Sequence, residues 1–124
     1  MKPSRTLKCT FIALIGFSLS STVYAAQTCF TGGSIKAVYT NFADFNYKGV
    51  IGIRVQHDDG QTRYYNTHGF STLDDSVARS LLQQATTALV AQTRVQVGVI
   101  DTCTNTHRLN NQVWVRGWSG LTLE

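Results

Sequence analysis

Proline and long apolar runs are both scarce in this sequence. Pro3 is the only proline among 124 residues, and the chain contains no low-complexity tract or internal repeat. The longest apolar run, from Cys9 through Leu19, spans 11 residues, whereas a membrane-spanning helix needs roughly 20. We therefore expect one compact domain and no transmembrane segment in the mature chain.

The N-terminal segment has the pattern of a secretory signal peptide. Lys2, Arg5 and Lys8 precede the apolar run without an acidic residue, and Val23-Tyr24-Ala25 has small residues at the two positions that a signal peptidase inspects. The pattern predicts removal of residues 1–25 and export of residues 26–124, a domain that is secreted or stays in the periplasm. A membrane anchor is the less favoured alternative.

The chain carries little excess charge once this segment is removed. Three of its eleven basic residues lie in the predicted signal and none of its seven acidic residues does, so residues 26–124 hold eight basic against seven acidic residues, a net charge of +1. A nucleic-acid groove normally shows a clear basic excess. We therefore expect no nucleic-acid partner.

Cysteine is equally sparse. Cys9 leaves with the predicted signal, so the mature domain keeps only Cys29 and Cys103. Two thiols in an oxidising compartment predict one disulfide, which would join the N-terminal segment to a late strand.

The residue types that bind metals or catalyse reactions are not spaced in a pattern that indicates a metal site or a catalytic site. The histidines at 57, 68 and 107 lack metal-ligand spacing, and no Ser/His/Asp or Cys/His assembly can be argued from their positions. Asp58-Asp59-Gly60 is typical of a hairpin turn, which explains the acidic pair without a catalytic role. We predict no enzyme, no metal and no cofactor.

Alternating apolar residues predict five strands around one helix. The strand candidates are 35–42, 50–56, 61–66, 94–100 and a last strand that begins near Gln112. Thr72-Leu73-Asp74-Asp75 resembles a capping box, and a helix ending near Gln92 follows. Its core-facing stripe is predicted at Leu73, Val77, Ala78, Leu81, Leu82, Ala85, Ala88 and Leu89. The order β-β-β-α-β-β is that of an oligonucleotide/oligosaccharide-binding (OB) barrel, a mainly β fold with one helix.

Several of these features together resemble the B subunits of AB5 bacterial toxins. They are an exported domain near 100 residues, one early and one late cysteine, a capped helix leading into Gln92-Thr93-Arg94-Val95-Gln96-Val97, and the closing strand Val113-Trp114-Val115. The resemblance is to the cholera and heat-labile enterotoxin group and, more distantly, to subtilase cytotoxin and typhoid toxin. It implies a non-catalytic, glycan-binding ring of five copies that delivers a separate A subunit to host cells.

The resemblance and the polar loops together identify candidate sugar contacts. In cholera-type B subunits a tryptophan soon after the second cysteine lies under a terminal galactose, whereas the residues after Cys103 include no aromatic, so the resemblance does not extend to that ganglioside. Two polar connections at one barrel end offer donors and acceptors instead. In the sialic-acid-binding branch a serine near position 34 contacts the sugar carboxylate. The candidates are Ser34, Asn66, His68, Asn105, His107 and Arg108.

Each of these residues also has a plain structural explanation. A solvated loop explains the polar connections equally well, and ordinary turn chemistry explains Ser34 beside two glycines. Trp114 is predicted to fill the core, with Trp118 a candidate sugar platform. The helix surface is almost without charge, which suits packing between subunits but is also common in exported proteins. The alternatives to the toxin subunit are a monomeric periplasmic or secreted binding or inhibitor protein on the same barrel, and a small secreted hydrolase or nuclease.

Overall fold

The computed structural model describes residues 27–40, 49–100, 102–109 and 111–124. The predicted signal peptide and the last two residues of the first predicted strand lie outside the described residues. Within them the chain forms one helix and eight strands: β1 Gln27–Thr28, β2 Gly33–Thr40, β3 Ile51–His57, β4 Thr62–Asn66, α1 Ser76–Ala91, β5 Arg94–Val99, β6 Thr106–Leu109, β7 Gln112–Val115 and β8 Trp118–Leu123. The predicted mainly β domain with one helix is confirmed.

The strands form a single mixed sheet. Strands β2, β3 and β4 are an antiparallel meander, β4 pairs in parallel with β7, and β6 and β7 form an antiparallel hairpin. On the other side β5 pairs antiparallel with β2, with the short β1 and with β8. The order is β1-β5-β2-β3-β4-β7-β6, with β8 beside β5. The sheet does not close on itself, so the structure does not establish the predicted barrel.

The strongest strand predictions come from runs that bury every second side chain. Ile51, Ile53 and Val55 of β3 have no exposed surface, because a strand directs alternate side chains to one face. Strand β5 buries Val95, Val97 and Val99 in the same way. The alternation of β2 is interrupted, because its register with β3 shifts between Ile35 and Ala37.

The helix begins three residues later than its capping-box signal. Asp75, not Thr72, is the N-cap, and its carboxylate accepts a hydrogen bond from the Val77 N–H (3.0 Å). The helix ends as predicted, with Gln92 in the left-handed region at φ 55°. The predicted stripe is right for Ala78, Leu81, Ala85 and Ala88 but wrong for Val77, which is 40% exposed. No helix in the described part of the chain is both long and apolar enough to cross a membrane.

Two hydrophobic clusters fill the interior. The larger lies between α1 and the strands it packs on, β2, β3 and β8. The smaller consists of Val50 and Trp114 with Tyr39, Tyr64 and Leu109 packed against them. Trp114 therefore fills the core, as predicted. The prediction that Trp118 forms a sugar platform is wrong, because the side chain is 0% exposed and its indole N–H donates to the Gly120 carbonyl (3.0 Å).

The predicted polar loop around Asn105 contains a strand. Residues 106–109 form β6 and pair with β7, so that His107 lies opposite Trp114 and Arg108 opposite Val113. Four mostly polar residues give no apolar alternation to detect, and their strand conformation depends on the pairing with β7.

The N-terminal segment is fastened to the sheet at three adjacent residues. Cys29 forms the predicted disulfide with Cys103, with Cα atoms 6.0 Å apart. The Phe30 ring lies under the Arg63 guanidinium (3.8 Å) and edge-on to the His57 ring (5.7 Å). The Thr31 carbonyl accepts a hydrogen bond from Nδ1 of His57. Together these contacts fix the chain that leads into β2.

Replacing both cysteines by serine is expected to lower the free energy of unfolding by about 4 kcal/mol, because the disulfide closes a loop of more than seventy residues in the unfolded chain. Urea unfolding followed by tryptophan fluorescence measures the difference. Thiol labelling of the unreduced, unfolded mature protein, residues 26–124, is the control and should find no free sulfhydryl. Two labelled cysteines per chain would contradict the pairing.

Candidate functional site

The connection from β4 to α1 is a tightly hydrogen-bonded turn. The Thr67 hydroxyl accepts from the Ile51 N–H (3.2 Å), and the Thr67 carbonyl accepts from the N–H groups of Phe70 (2.9 Å) and Ser71 (3.0 Å). Gly69 has φ +87°, a conformation that suits glycine. The turn therefore presents its side chains from a fixed backbone.

A surface cleft of about 350 Å³ opens along this turn. Its lining combines a histidine and an aromatic ring with two hydroxyls and one carboxylate: Val50, His68, Gly69, Phe70, Ser71, Thr72 and Asp75. Asp75 holds the start of α1, and Val50 belongs to the smaller hydrophobic cluster. The floor of the cleft is thus attached both to the helix and to the core.

His68 of this cleft is stacked on His107 of β6. The two rings are nearly parallel, with an interplanar angle of 8° and centroids 5.3 Å apart. Asn66, which is fully buried, links the His107 ring to the main chain of His68: its Nδ2 donates to Nε2 of His107 (2.9 Å), and its Oδ1 accepts from the backbone N–H of His68 (3.2 Å). The structure thus brings together three of the six predicted sugar contacts, from two segments 39 positions apart in the chain.

Arg116 gives this cluster a positive neighbour. Burial, followed by the charge of Arg116 and then by His68, lowers the pKa of His107 to about 4. Burial and Arg116 also lower the pKa of His68. The Arg116 Nε is buried and has no hydrogen-bond partner among the described residues. At neutral pH the cluster therefore consists of two uncharged imidazoles beside one guanidinium.

The chain matches no protein-family model, and no curated protein or solved structure matches it. The resemblance to AB5 toxin B subunits therefore stays a prediction. What the site can do has to be argued from its own residues.

Two predicted contacts lie on the neighbouring segment but differ in their relation to the cluster. The Asn105 carbonyl accepts from the Arg116 N–H (2.9 Å), which places the main chain of Asn105 beside the cluster. Arg108 follows His107 in a strand, and consecutive strand residues face opposite sides. Arg108 is exposed and donates to the Asn111 carbonyl (3.4 Å). Arg108 and His107 therefore lie on opposite faces of β6, and a role of Arg108 in sugar binding stays a prediction.

Ser34 lies at the other end of the meander. It pairs with Gln56 of β3, whereas Asn66 pairs with Gly52 of the same strand. Four residues of strand separate these positions by roughly 13 Å. The structure therefore does not bring Ser34 to the histidine cluster, and Ser34 remains a separate candidate.

Three further titratable groups, His57, Asp58 and Asp59, make structural contacts. His57 is buried between the Thr31 carbonyl and the Tyr65 hydroxyl, which donates to its Nε2 (2.8 Å), and burial lowers the pKa of His57. Asp59 accepts from the Gln61 N–H and pairs with Arg63, as expected of a hairpin turn. Asp58 pairs with Arg94. No group of three possible metal ligands occurs among the described residues.

Sequence reasoning missed Phe70, Ser71, Thr72 and Arg116. Thr72 belongs to the predicted capping box, Phe70 and Ser71 precede that capping box without a predicted role, and Arg116 follows an apolar strand. One signal was available: a charged residue and a glycine interrupt the run between Val115 and Trp118, which marks a break in the strand where the backbone changes direction.

Acidification is expected to destabilise the fold through His107. Its pKa is lower in the folded protein than the ordinary 6.5, so the unfolded chain takes up the proton first. The stabilisation is complete above pH 6.5, declines as the pH falls from 6.5 to about 4, and changes no further below that. Urea unfolding at pH 7.5, 6.0 and 5.0 measures the decline.

The comparison variant for this pH series is His107→Gln, which can still accept from Asn66 but does not titrate. Its free energy of unfolding should fall less than that of the wild type over the same range, with the residual slope supplied by His57 and His68. Equal slopes in the two proteins would contradict the assignment.

Proposed function

We propose that this chain is a non-catalytic, glycan-binding domain of an exported protein, and that the sugar binds in the cleft between β4 and α1. We further propose that copies of the domain assemble into a ring, of five as the toxin resemblance implies, which carries a separate A subunit to glycans on host cells. The observation that carries the proposal is the composition and rigidity of the cleft.

The cleft offers the groups that a sugar needs. The partly exposed Phe70 ring presents an aromatic surface to the C–H face of a pyranose. The hydroxyls of Ser71 and Thr72 and the imidazole of His68 can donate to and accept from sugar hydroxyls. Water already solvates those hydroxyls well, so only fixed groups compete with it. The hydrogen-bonded turn from Thr67 to Leu73 supplies that fixation.

Arg116 adds a reason to expect an acidic sugar. Arg116 does not line the cleft, but it is partly exposed and its charge acts on His68, which does line it. A carboxylate is the natural partner of a guanidinium. A sialylated glycan would supply both the hydroxyls for the cleft and the carboxylate for Arg116.

We also propose that the sheet is an opened version of the OB barrel. Strands β7 and β8 are separated by only Arg116 and Gly117, yet β7 pairs with β4 at one end of the sheet and β8 pairs with β5 at the other. A single bent strand therefore connects the two ends. This arrangement, together with a helix between the meander and β5, supports the OB topology.

The exposed surface of α1 supports assembly. Arg79 is the only charged residue within the helix, and the other exposed positions include Ser80, Gln83, Gln84 and Val90, which is 80% exposed. A surface helix usually carries more Glu and Lys. Small uncharged side chains allow another subunit to approach closely.

The alternatives have less support. A monomeric binding or inhibitor protein would explain the cleft but not the uncharged helix surface. A hydrolase or nuclease that uses paired acids would need them near the cleft. The carboxylate in the cleft lining, Asp75, instead caps α1, and Asp58 and Asp59 pair with Arg94 and Arg63 at the β3–β4 hairpin.

Substitutions in the cleft are expected to weaken glycan binding without unfolding the domain. On a glycan array, Phe70→Ala should reduce the affinity at least tenfold and Thr72→Val about fivefold, the loss of roughly one hydrogen bond. Thr72→Val preserves the side-chain shape and the backbone contacts of the turn, so it separates binding from stability. The thermal midpoint of each variant is measured alongside.

Arg108→Ala is the matched control, because Arg108 lies next to the cluster in sequence but faces the other side of β6. It should bind sialylated glycans like the wild type. If both cleft variants bind normally and Ser34→Ala does not, the site lies at the other end of the meander and this proposal fails.

Native mass spectrometry of the mature protein tests the ring. A pentamer is expected at micromolar concentration, and Gln83→Arg on the uncharged helix surface should dissociate it by introducing an unpaired charge into the contact. Gln61→Arg, at the exposed β3–β4 turn, is the control and should leave the ring intact. A wild-type monomer under these conditions would remove the ring from the proposal.

A further inference from the structure

We infer that the stacked pair of His68 and His107 is an acid-sensitive latch that holds β6 against the β4–α1 turn and releases it when the surroundings are acidified. Release would remove His107 from His68, a residue that lines the cleft. The release itself follows from the geometry of the latch. Its effect on sugar binding rests, in addition, on the function proposed above.

The latch joins strand β6 to the β4–α1 turn, which is far from it in the chain. Strand β6 is at the edge of the sheet, paired only with β7 among the described strands. His107 contributes its contacts to the turn through two interactions, the stack on His68 and the hydrogen bond from Asn66. At the other end of β6, Leu109 packs against the smaller hydrophobic cluster, and its carbonyl accepts from the Trp114 indole N–H (3.3 Å). A strand at the edge of a sheet opens more easily than a central one.

Asn66 makes the latch specific for the uncharged form of His107. The amide nitrogen of Asn66 donates to Nε2 of His107, and its amide oxygen accepts from the backbone N–H of His68. A protonated Nε2 would face the amide's own N–H₂ group. Rotating the amide by 180° would present oxygen to His107 but would turn the N–H₂ group toward the His68 N–H. Either arrangement loses one of the two hydrogen bonds, and Asn66 is buried away from water that might replace it.

The charged groups around the latch add to this effect. Arg116, between β7 and β8, acts on both rings, and each protonated ring would repel the other across the 5.3 Å stack. Asp75, which lines the cleft with His68, accepts from the Val77 N–H at the helix start. Trp114 opposite His107 on β7 is uncharged, and Arg108 faces the other side of β6. Among the described residues, protonation of the two imidazoles therefore places positive charges next to each other and next to Arg116.

The disulfide limits how far the released segment can move. Cys103 is bonded to Cys29 and lies three residues before Thr106, where β6 begins. The other end of β6 leads into β7, whose Trp114 is buried in the smaller hydrophobic cluster. Opening is thereby confined to β6 and the turns that flank it.

Linkage gives the size of the expected change. His107 has a pKa of about 4 when latched and the ordinary 6.5 when released. Proton uptake by the released form alone then favours opening about 25-fold more at pH 5.0 than at pH 7.4. Protonation of His68 acts in the same direction, because its pKa is also lowered in the latched state.

Amide hydrogen exchange measures this opening without any ligand. Protection of the β6 amides, and of the β7 amides that donate to β6, is normalised to the intrinsic exchange rate at each pH and should fall about 25-fold between pH 7.4 and 5.0. Protection of the α1 amides reports global unfolding, which also releases His107 and therefore also declines with acid. The latch requires β6 to exchange with a lower opening free energy than α1 at both pH values. If β6 and α1 exchange with the same opening free energy, β6 opens only by global unfolding and there is no latch.

Two variants assign the response to its residues. His107→Gln, which keeps an acceptor for Asn66 but does not titrate, should remove most of the pH-dependent loss of protection in β6 and leave only the part due to His68. Arg108→Gln, the adjacent position on the other face, should leave the whole loss unchanged. A wild-type protein whose β6 protection does not depend on pH overturns the proposal whether or not the variants fold.

The effect on binding is measured separately, as the affinity for the best glycan of the array at pH 7.4 and 5.0. A weakening in the wild type that is absent in His107→Gln supports the coupling of latch and cleft. If exchange shows release while no glycan binds at either pH, the latch stands and the proposed function fails. If glycan binds equally at both pH values despite release, the coupling is wrong.

Discussion

The two-residue link between β7 and β8 is the constraint on which the rest of the structure depends. There the chain leaves its parallel partner β4 and joins β5, and Gly117 makes the change of direction at φ +77°. A Cβ at this position would lie 3.3 Å from Ile100. The Gly117 N–H donates to the His68 carbonyl and its own carbonyl accepts from the Ile100 N–H, both at 3.0 Å. One glycine thus ties the two ends of the sheet to the turn that carries the cleft.

The elements that sequence reasoning predicted well are those whose signal is local. The valines of β5 and the isoleucines of β3 alternate over several residues, and burial of one face follows from that alternation. The helix start was misplaced because Thr72 and Asp75 are both good N-caps, and only packing decides between them. Strand β6 was missed because no pattern within four mostly polar residues announces it; its partner β7 supplies the reason for its conformation.

The sequence also predicted only part of the candidate site. Asn66, His68 and His107 were expected to meet because topology brings the β4–α1 connection and the segment after Cys103 to one end of the domain, and they do meet. Arg108 lies on the opposite face of β6 from these residues, which could not be foreseen because the side of a strand on which a residue lies depends on strand assignment, and residues 105–108 were predicted as a loop. Arg116 was overlooked because its importance comes from burial beside the two imidazoles, and a single arginine in a sequence carries no information about its neighbours.

His57 and His107 show that the surroundings of a histidine determine the effect of its protonation. His57 has a carbonyl on one ring nitrogen and a tyrosine hydroxyl on the other, so both nitrogens are satisfied in the neutral ring. His107 has an amide N–H₂ on Nε2 and a guanidinium nearby, so its neutral form is imposed by a donor and a charge that protonation would oppose. Both pKa values are lowered, chiefly by burial. Yet a proton on His57 would disturb the buried clamp of the N-terminal segment, whereas a proton on His107 would act on an edge strand beside a cleft. The same chemical event is structural in one place and a candidate for regulation in the other, and the difference lies in what each ring holds in position.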